Sequence, residues 1–251
     1  GVLLYNGIKV YIYPQPHPVP MLSYAVRQLD CYAGIMITAS HNPKEYNGYK
    51  VYGADGAQMS VEDTAEVVKY ISAVTDYFSV KEDEIKDIST YKDRGAYTVI
   101  GKSFEKTYYK CLLRLTLSKK AVKEVGKKIK IVYTPVHGSG YIPVTTVLKK
   151  LGIKATVVEE QTIADPNFST VEVPNPEFKE TLSMGIAIAD KIKADAVFGT
   201  DPDCDRLGVA VRNDEGEFVA LSGNQTGVLL LDYILLRLKA ENKLPANGVV
   251  V

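Results

Sequence analysis

Residues 34–50 read GIMITASHNPKEYNGYK, an apolar segment that runs directly into a polar turn. Residues 34–38 predict a buried strand, because a short uninterrupted apolar run is typical of strands covered on both faces. Pro43 ends the strand, since proline has no N–H for a sheet hydrogen bond and keeps Asn42 out of the helical region. Ser40 is therefore expected just beyond the carboxyl end of a strand, where open α/β sheets bind their ligands.

Two further polar side chains accompany this serine. His41 follows it directly, and Lys50 follows the turn dipeptide Asn47-Gly48. A hydroxyl, an imidazole and an ammonium group could thus converge at the end of one strand. Taken alone, a serine in a turn is most often a turn former, and a single lysine is most often a surface charge. The functional interpretation therefore depends on a second segment.

A carboxylate-rich loop, GTDPDCDRL, occupies residues 199–207 and also follows an apolar run. Its acidic residues alternate and are Asp201, Asp203 and Asp205. Three carboxylates in one short loop repel each other unless a cation lies between them. Oxygen ligands alone favour a hard cation, Mg²⁺ or Ca²⁺. An EF-hand is excluded because its glycine and its final glutamate positions would be Arg206 and Arg212.

Three motifs together resemble those of one enzyme family. They are TASHNP at residues 38–43, NGYK at residues 47–50 and DPDCDR at residues 201–206. In this order along the chain they resemble the α-D-phosphohexomutases, the superfamily of phosphoglucomutases and phosphomannomutases. The continuation NGYKVYGADGAQ is most similar to the bacterial phosphoglucomutase-2-like branch. The carboxylate motif departs from the DGDADR of many members at Pro202 and Cys204.

The resemblance implies an α/β fold of consecutive three-layer α/β/α domains with mixed sheets. Residues 1–112 would be the remainder of domain I with the serine loop, and residues 113–220 would be domain II with the carboxylate loop. Residues 221–251 would begin domain III. Family members are longer than this chain, so an internal fragment is expected, and one that lacks full mutase activity on its own.

The resemblance also implies a phosphorylated serine and a magnesium ion. Ser40 would carry a phosphoryl group with about two negative charges at neutral pH. One phosphoserine oxygen and three carboxylates would hold Mg²⁺, those of Asp201, Asp203 and Asp205. The metal would withdraw charge from phosphorus and offset the repulsion of an incoming hydroxyl.

Three other side chains are expected to act on the phosphate or on the sugar. Arg206 would hold phosphate oxygens with its forked guanidinium group. Lys50 would either neutralise developing charge or accept the proton of the sugar hydroxyl, because burial lowers the pKa of a lysine. His41 would orient the loop or contact phosphate.

The implied reaction moves a phosphoryl group from Ser40 to a sugar monophosphate and returns the other phosphate of the bisphosphorylated sugar to the serine. Glucose 1-phosphate and glucose 6-phosphate would interconvert, with glucose 1,6-bisphosphate as activator. Mannose and pentose phosphates remain alternatives, because the loop that selects the sugar in the family is not found in this sequence. A magnesium-dependent phosphatase and a non-catalytic carbohydrate- or metal-binding module are hypotheses from other classes.

Composition favours small-molecule chemistry over nucleic-acid or membrane binding. The 251 residues include 30 basic and 30 acidic side chains, so no global charge attracts a polyanion or a membrane surface. No apolar run approaches the length of a membrane span. The three cysteines, Cys31, Cys111 and Cys204, fit neither a disulfide framework nor a metal motif. A cytoplasmic protein with hexose phosphates as partners is expected.

Hydrophobic periodicity predicts the remaining elements. Residues 1–18 predict a strand and a proline turn, and residues 19–33 a helix that would complete a βαβ unit with the strand at 34–38. Ser60 is a predicted helix cap, whereas residues 79–103 are expected to form an irregular polar excursion. Further helices are predicted at 104–117, 143–151, 177–192 and 224–238, and strands at 128–133, 155–158, 195–200, 207–211, 218–220 and 249–251.

A glycine-containing loop, TPVHGSG at residues 134–140, separates one predicted strand from the next helix. A strand, loop and helix in this order can hold an anion at the helix N-terminus. However, the loop lacks both a full GxGxxG pattern and the Lys-Ser/Thr ending of a phosphate-binding P-loop. Close packing of helix against strand explains the glycines equally well, and His137 is expected to be structural.

Overall fold

The computed structural model describes residues 1–82 and 88–250 of the chain. The helices in this part are α1 Val2–Tyr5, α2 Val19–Gln28, α3 Val61–Ser72, α4 Ile88–Asp93, α5 Lys102–Arg114, α6 Lys119–Val125, α7 Tyr141–Lys150, α8 Ser183–Ile192 and α9 Gly223–Ala240. The strands are β1 Val10–Ile12, β2 Ala33–Ile37, β3 Tyr49–Gly53, β4 Tyr97–Val99, β5 Ile131–Thr134, β6 Ala155–Val157, β7 Ala196–Thr200, β8 Leu207–Arg212 and β9 Phe218–Leu221. None of the described helices is both long enough and apolar enough to cross a membrane.

A five-stranded mixed sheet organises the second half of the chain, in the order β6-β5-β7-β8-β9. The first three strands are parallel, and β8 and β9 add to them as an antiparallel hairpin. Every residue of β5 is buried, as expected for a central parallel strand. Helix α8 packs on β5 and β7, and its Gly185 allows this closeness, because a Cβ there would lie 2.8 Å from the Val197 side chain.

Two small sheets lie in the first half of the chain. Strand β1 pairs in parallel with β4, and β2 pairs antiparallel with β3. Met36 lies opposite Lys50 in the second of these sheets, so the lysine is held near the carboxyl end of β2. Helix α2 covers one face of β2, where a Cβ on Gly34 would lie 2.6 Å from the Val26 side chain. The serine turn and the lysine are thus fixed at the same end of one two-stranded ribbon.

The mixed α/β architecture confirms the expected fold class, whereas several local predictions in the first half are wrong. Of the strand expected within residues 1–18, residues 10–12 form β1, but residues 2–5 form a helical turn. The expected βαβ unit is absent from the described residues, because β1 and β2 belong to different sheets. Strand β2 is only partly buried, with Ile37 59% exposed, because α2 covers one face and leaves the other to solvent.

The polar excursion expected at residues 79–103 is more ordered than its composition indicates. It contains α4 and β4, and β4 is held by a non-local pairing in which Tyr97 lies opposite Val10. Residues 83–87 of this excursion lie outside the described part of the chain. The short helix α6 was not predicted at all; the Ser118 hydroxyl caps it by accepting from the Ala121 N–H.

The second half follows the predictions more closely, with two corrections. The helix expected at 177–192 begins only at Ser183, because residues 177–182 form successive turns with bonds such as Thr181 N–H to the Phe178 carbonyl. Residues 249 and 250 are not in a strand, and Val251 lies outside the described residues. The β8–β9 hairpin and α9 are confirmed.

Candidate active site

The serine turn and the carboxylate loop meet, although they are 161 positions apart in sequence. The Ser40 Oγ lies 2.9 Å from an Asp201 carboxylate oxygen and 3.1 Å from an Asp203 carboxylate oxygen. A hydroxyl has one hydrogen to donate, so the serine can satisfy only one of these acceptors at a time. The geometry therefore places a nucleophilic oxygen against two carboxylates that compete for it.

Three carboxylates form a compact cluster beside this serine. One oxygen from each of Asp201, Asp203 and Asp205 lies within 4.8 Å of the others, and the first two residues are buried. The backbone fixes Asp201 further, because its second oxygen accepts the N–H groups of Asp205 and Arg206 at 3.1 and 3.0 Å. An all-oxygen set of this size suits a hard divalent cation such as Mg²⁺.

The buried carboxylates of the cluster shift each other's pKa values. Burial, followed by the hydrogen bond and charge of Asp203, raises the pKa of Asp201 to about 7. Burial alone would also raise the pKa of Asp203, but its hydrogen bonds with Asp201 and Lys50 outweigh this and lower it. Two neighbouring buried carboxylates cannot both ionise without cost, and a bound cation would remove that cost. The residues present therefore fit the implied Mg²⁺.

Lys50 brings a positive charge to the carboxylate cluster. Its Nζ forms ion pairs with Asp203 at 2.8 Å and with Asp205 at 3.4 Å. Burial alone would lower the pKa of Lys50, but the hydrogen bonds and charges of these carboxylates outweigh it, and the pKa is raised. The side chain is therefore an ammonium group at neutral pH in this arrangement.

His41 and Arg206 lie at the margin of the cluster. The His41 Nδ1 is 3.2 Å from the Ser40 Oγ, and burial together with the charge of Arg206 lowers the pKa of the imidazole. Arg206 is exposed, and among the residues that the structure describes its guanidinium group forms no ion pair or hydrogen bond. The structure thus brings Ser40, His41 and Lys50 into contact with one another or with the carboxylates, and leaves the Arg206 side chain free at the edge.

Both loops have left-handed backbone at a critical residue. Ser40 has φ 54° and Cys204 has φ 55°, a conformation that is uncommon for residues other than glycine. The Ser40 N–H is held by the Thr38 hydroxyl at 2.8 Å, and the Cys204 N–H by the Asp201 carbonyl at 3.0 Å. Such conformations persist only when the surroundings impose them.

The glycine-containing loop, residues 134–140, helps to hold the conformation of the carboxylate loop. The sequence did not predict this role. Ser139 donates to the Pro202 carbonyl twice, from its N–H at 2.8 Å and from its hydroxyl at 2.9 Å. Gly138 lies so close that a Cβ would be 2.4 Å from the Pro202 Cα. Residues 134–140 therefore pack against the carboxylate loop and support it. In the sequence, only the GSG triplet at residues 138–140 hinted at this role. No anion is needed to explain these glycines.

A second unpredicted contact links the two halves. The N–H of Val19, the first residue of α2, donates to the Asp203 carbonyl at 2.9 Å. Since the first N–H groups of a helix have no partner within the helix, this carbonyl satisfies one of them.

His137 has a structural role, as expected: its ring nitrogens form hydrogen bonds with the Ile163 carbonyl and the Thr170 hydroxyl at 2.8 and 2.7 Å.

Two family models match the chain. Residues 1–78 match the phosphoglucomutase/phosphomannomutase α/β/α domain I, and residues 106–216 match domain II of the same family. A phosphoglucomutase from Staphylococcus haemolyticus is 37% identical over 255 residues, which include all of this chain and 43% of the relative. The chain thus spans less than half of the length of this curated relative.

Solved structures agree with this assignment. A Thermus thermophilus protein assigned as a phosphomannomutase is 28% identical with a TM-score of 0.63, over 84% of this chain and 43% of that one. The fold also resembles an Aspergillus fumigatus N-acetylphosphoglucosamine mutase, solved with GlcNAc-6P and magnesium, at 16% identity and a TM-score of 0.50, over 90% of this chain and 52% of that one. The chain therefore belongs to the phosphoglucomutase/phosphomannomutase family.

Proposed function

We propose that this chain carries the phosphoryl-transfer site of a phosphohexomutase that interconverts glucose 1-phosphate and glucose 6-phosphate. The reaction would use a phosphoserine and a bisphosphorylated sugar intermediate. One observation carries the proposal: the Ser40 hydroxyl lies within hydrogen-bond distance of two buried carboxylates, with the Lys50 ammonium 2.8 Å from one of them. The site would lie between domain I, residues 1–112, and domain II, residues 113–220, with residues 221–251 beginning domain III.

Ser40 is the proposed carrier of the phosphoryl group. In transfer to substrate, the bond between the serine oxygen and phosphorus breaks, a new bond forms from a sugar hydroxyl oxygen to phosphorus, and the proton of that hydroxyl ends on the serine oxygen. The three aspartates and one phosphoserine oxygen would hold Mg²⁺, which when bound withdraws charge from the phosphoryl group. A hydrogen bond to the Asp201 or the Asp203 carboxylate holds the unmodified Ser40 hydroxyl in place before it accepts a phosphoryl group, which lowers the entropic part of that barrier.

Three side chains are proposed to handle charge and orientation around Ser40. Lys50 neutralises negative charge, because it is already an ammonium group paired with two carboxylates. His41 orients the serine oxygen through its Nδ1. Arg206 has a guanidinium group without an ion-pair partner in the described residues, and it is proposed to hold the phosphate of the sugar with two parallel hydrogen bonds.

Glucose phosphates are the proposed substrates, because curated relatives at 37–39% identity are phosphoglucomutases. Glucose 1,6-bisphosphate is the proposed activator, since it would phosphorylate an unmodified Ser40. A mannose phosphate is the second candidate, supported by the similarity to the Thermus thermophilus protein. We also propose a cytoplasmic location, in keeping with three cysteines that are all free thiols.

Mass spectrometry of Ser40 tests the proposal directly. The full-length protein is incubated with Mg²⁺ and glucose 1,6-bisphosphate and then digested with trypsin. The diagnostic peptide, residues 28–44, ends at Lys44 and also contains Tyr32 and Thr38, so fragmentation must localise the added phosphate. We expect phosphate on Ser40 in the wild type and much less in the Asp203→Asn variant, because that change weakens the carboxylate cluster.

A matched control and two alternative outcomes complete this experiment. Asp214→Asn makes the same chemical change in the exposed β8–β9 turn and should leave phosphorylation unchanged. An unmodified Ser40 in a folded protein that still binds Mg²⁺ would contradict the proposal and favour a binding module. Release of inorganic phosphate without a bisphosphorylated sugar would instead indicate a phosphatase.

A further inference from the structure

A pocket lies apart from the serine and the carboxylates. It has a volume of about 490 Å³ and forms where the ends of α5 and α7 meet α6. Three half-buried apolar side chains line it, those of Leu113, Val122 and Leu151. Pockets of this size accommodate small molecules. The pocket shares no lining residue with the candidate active site.

Five cationic side chains surround this apolar lining, and no carboxylate of the described residues lines it. They are Arg114, Lys119, Lys123, Lys127 and Lys150. Within residues 1–82 and 88–250, none of the five side chains forms an ion pair or a hydrogen bond. Lys120, which does not line the pocket, is the α6 lysine that pairs with Glu124. The pocket is thus strongly basic in a chain whose net charge is zero.

Helix geometry explains only part of this charge. Arg114 and Lys150 lie in the last turns of α5 and α7, where cations interact favourably with the helix dipole. Lys119 is the first residue of α6, where the dipole disfavours a cation. Lys123 and Lys127 approach the same pocket, and like charges gathered in one place repel each other. A bound anion would turn this repulsion into attraction.

We propose that this pocket binds a small organic polyphosphate. Its phosphate groups would contact the lysines and Arg114, and an apolar or aromatic part would pack on Leu113, Val122 and Leu151. The cations come from three separate segments of the chain, so they can surround a phosphate chain from several sides. A single inorganic phosphate would use the charge and leave the apolar lining unfilled.

Fluorescence titration of the full-length protein with trinitrophenyl-ATP tests this inference, because that probe joins a triphosphate to an aromatic group. We expect saturable binding that weakens as salt concentration rises. The double variant Lys123→Gln/Lys127→Gln should lower the affinity about tenfold or more, since hydrogen bonds to charged groups are among the strongest. Lys150→Gln, on a different helix, should lower it as well.

The controls separate this pocket from general charge and from the active site. Lys110→Gln/Lys128→Gln removes the same charge from exposed positions that do not line the pocket and should change the affinity less than about twofold. Arg206→Gln should leave it unchanged. The proposal would be overturned if both double variants lost the same affinity for trinitrophenyl-ATP, or if only Arg206→Gln lost affinity. It would also be overturned if binding were not saturable. Binding of an acidic peptide in place of the nucleotide would overturn it as well. Circular dichroism confirms that each variant is folded.

Discussion

Gly138→Ala tests whether the glycine-containing loop holds the carboxylate loop in place. A Cβ at this position would lie 2.4 Å from the Pro202 Cα, 2.6 Å from the Pro202 carbonyl oxygen and 2.9 Å from the Pro135 carbonyl oxygen. All three are backbone atoms, so no side chain can rotate away to make room. One of the two loops must move, and Pro202 lies directly between two of the proposed metal ligands, Asp201 and Asp203.

The expected cost follows from these contacts. Overpacking of this kind destabilises a protein by about 1–3 kcal/mol. Movement of the loop also weakens the two hydrogen bonds from Ser139 to the Pro202 carbonyl, at 2.8 and 2.9 Å, which contribute about 1 kcal/mol each. We therefore expect the free energy of unfolding to fall by roughly 2–4 kcal/mol. Affinity for Mg²⁺ should fall about tenfold or more, since each 1.4 kcal/mol lost at the site is about tenfold.

Urea unfolding, followed by circular dichroism, and calorimetric titration with Mg²⁺ measure both effects in the full-length protein. Gly227→Ala is the matched control, because a Cβ there meets no atom within 4 Å, and alanine favours a helix interior over glycine. Ser139→Ala keeps the backbone and should show a smaller loss of both quantities, which guards against a Gly138→Ala variant that does not fold. A Gly138→Ala protein with wild-type stability and wild-type Mg²⁺ affinity would refute the supporting role.

Three further outcomes are expected. Lys50→Met should lower kcat in a coupled mutase assay by about 10²-fold, because it removes a fixed positive charge beside the reacting group; a variant with unchanged kcat would exclude Lys50 from the reaction. Removal of Mg²⁺ with a chelator should lower the midpoint of thermal unfolding, since saturation at about 100 times Kd stabilises by about 2.7 kcal/mol; a midpoint that does not depend on Mg²⁺ would argue against the metal site. Ser60→Ala should lower the free energy of unfolding by about 1 kcal/mol, because the Ser60 hydroxyl caps α3 by accepting from the Asp63 N–H; activity should not change, and Ser60→Gly should be milder.

The sequence predicted which residue types meet at the candidate site, but not how they contact one another. The alternating aspartates that follow a strand predicted a site for a hard cation, whereas phosphoryl transfer from Ser40 was implied by the resemblance to phosphohexomutases and stays a proposal. The contact between Ser40 and Asp201 could only be expected from co-occurrence, because it joins residues far apart in the chain. The free position of the Arg206 side chain and the support of Pro202 by Ser139 depend on tertiary structure that no local pattern encodes.

The fold was predicted best where hydrophobic patterns are long or flanked by clear turns. Strands β5 and β7 and helix α9 are of this kind. Predictions from short apolar runs were less accurate. Residues 2–4 suit a strand or a helical turn equally, and periodicity alone cannot separate the two. Strand β4 was missed because it is stabilised by pairing with β1, across most of the first half of the chain. Such non-local pairing overrides local preference.

The hydrogen bond from Val19 to Asp203 has a consequence for how the protein is made. Helix α2 leaves the ribosome long before residue 203 is synthesised, so its first N–H must remain bonded to water until the carboxylate loop has emerged. Helix α2, which packs on β2, receives the partner of its first N–H from the carbonyl group of Asp203 in the carboxylate loop. A nascent chain that stops before this loop therefore lacks both the acidic cluster and the carbonyl that bonds to the first N–H of α2, and the contact between Ser40 and the carboxylates forms only after both segments have been synthesised.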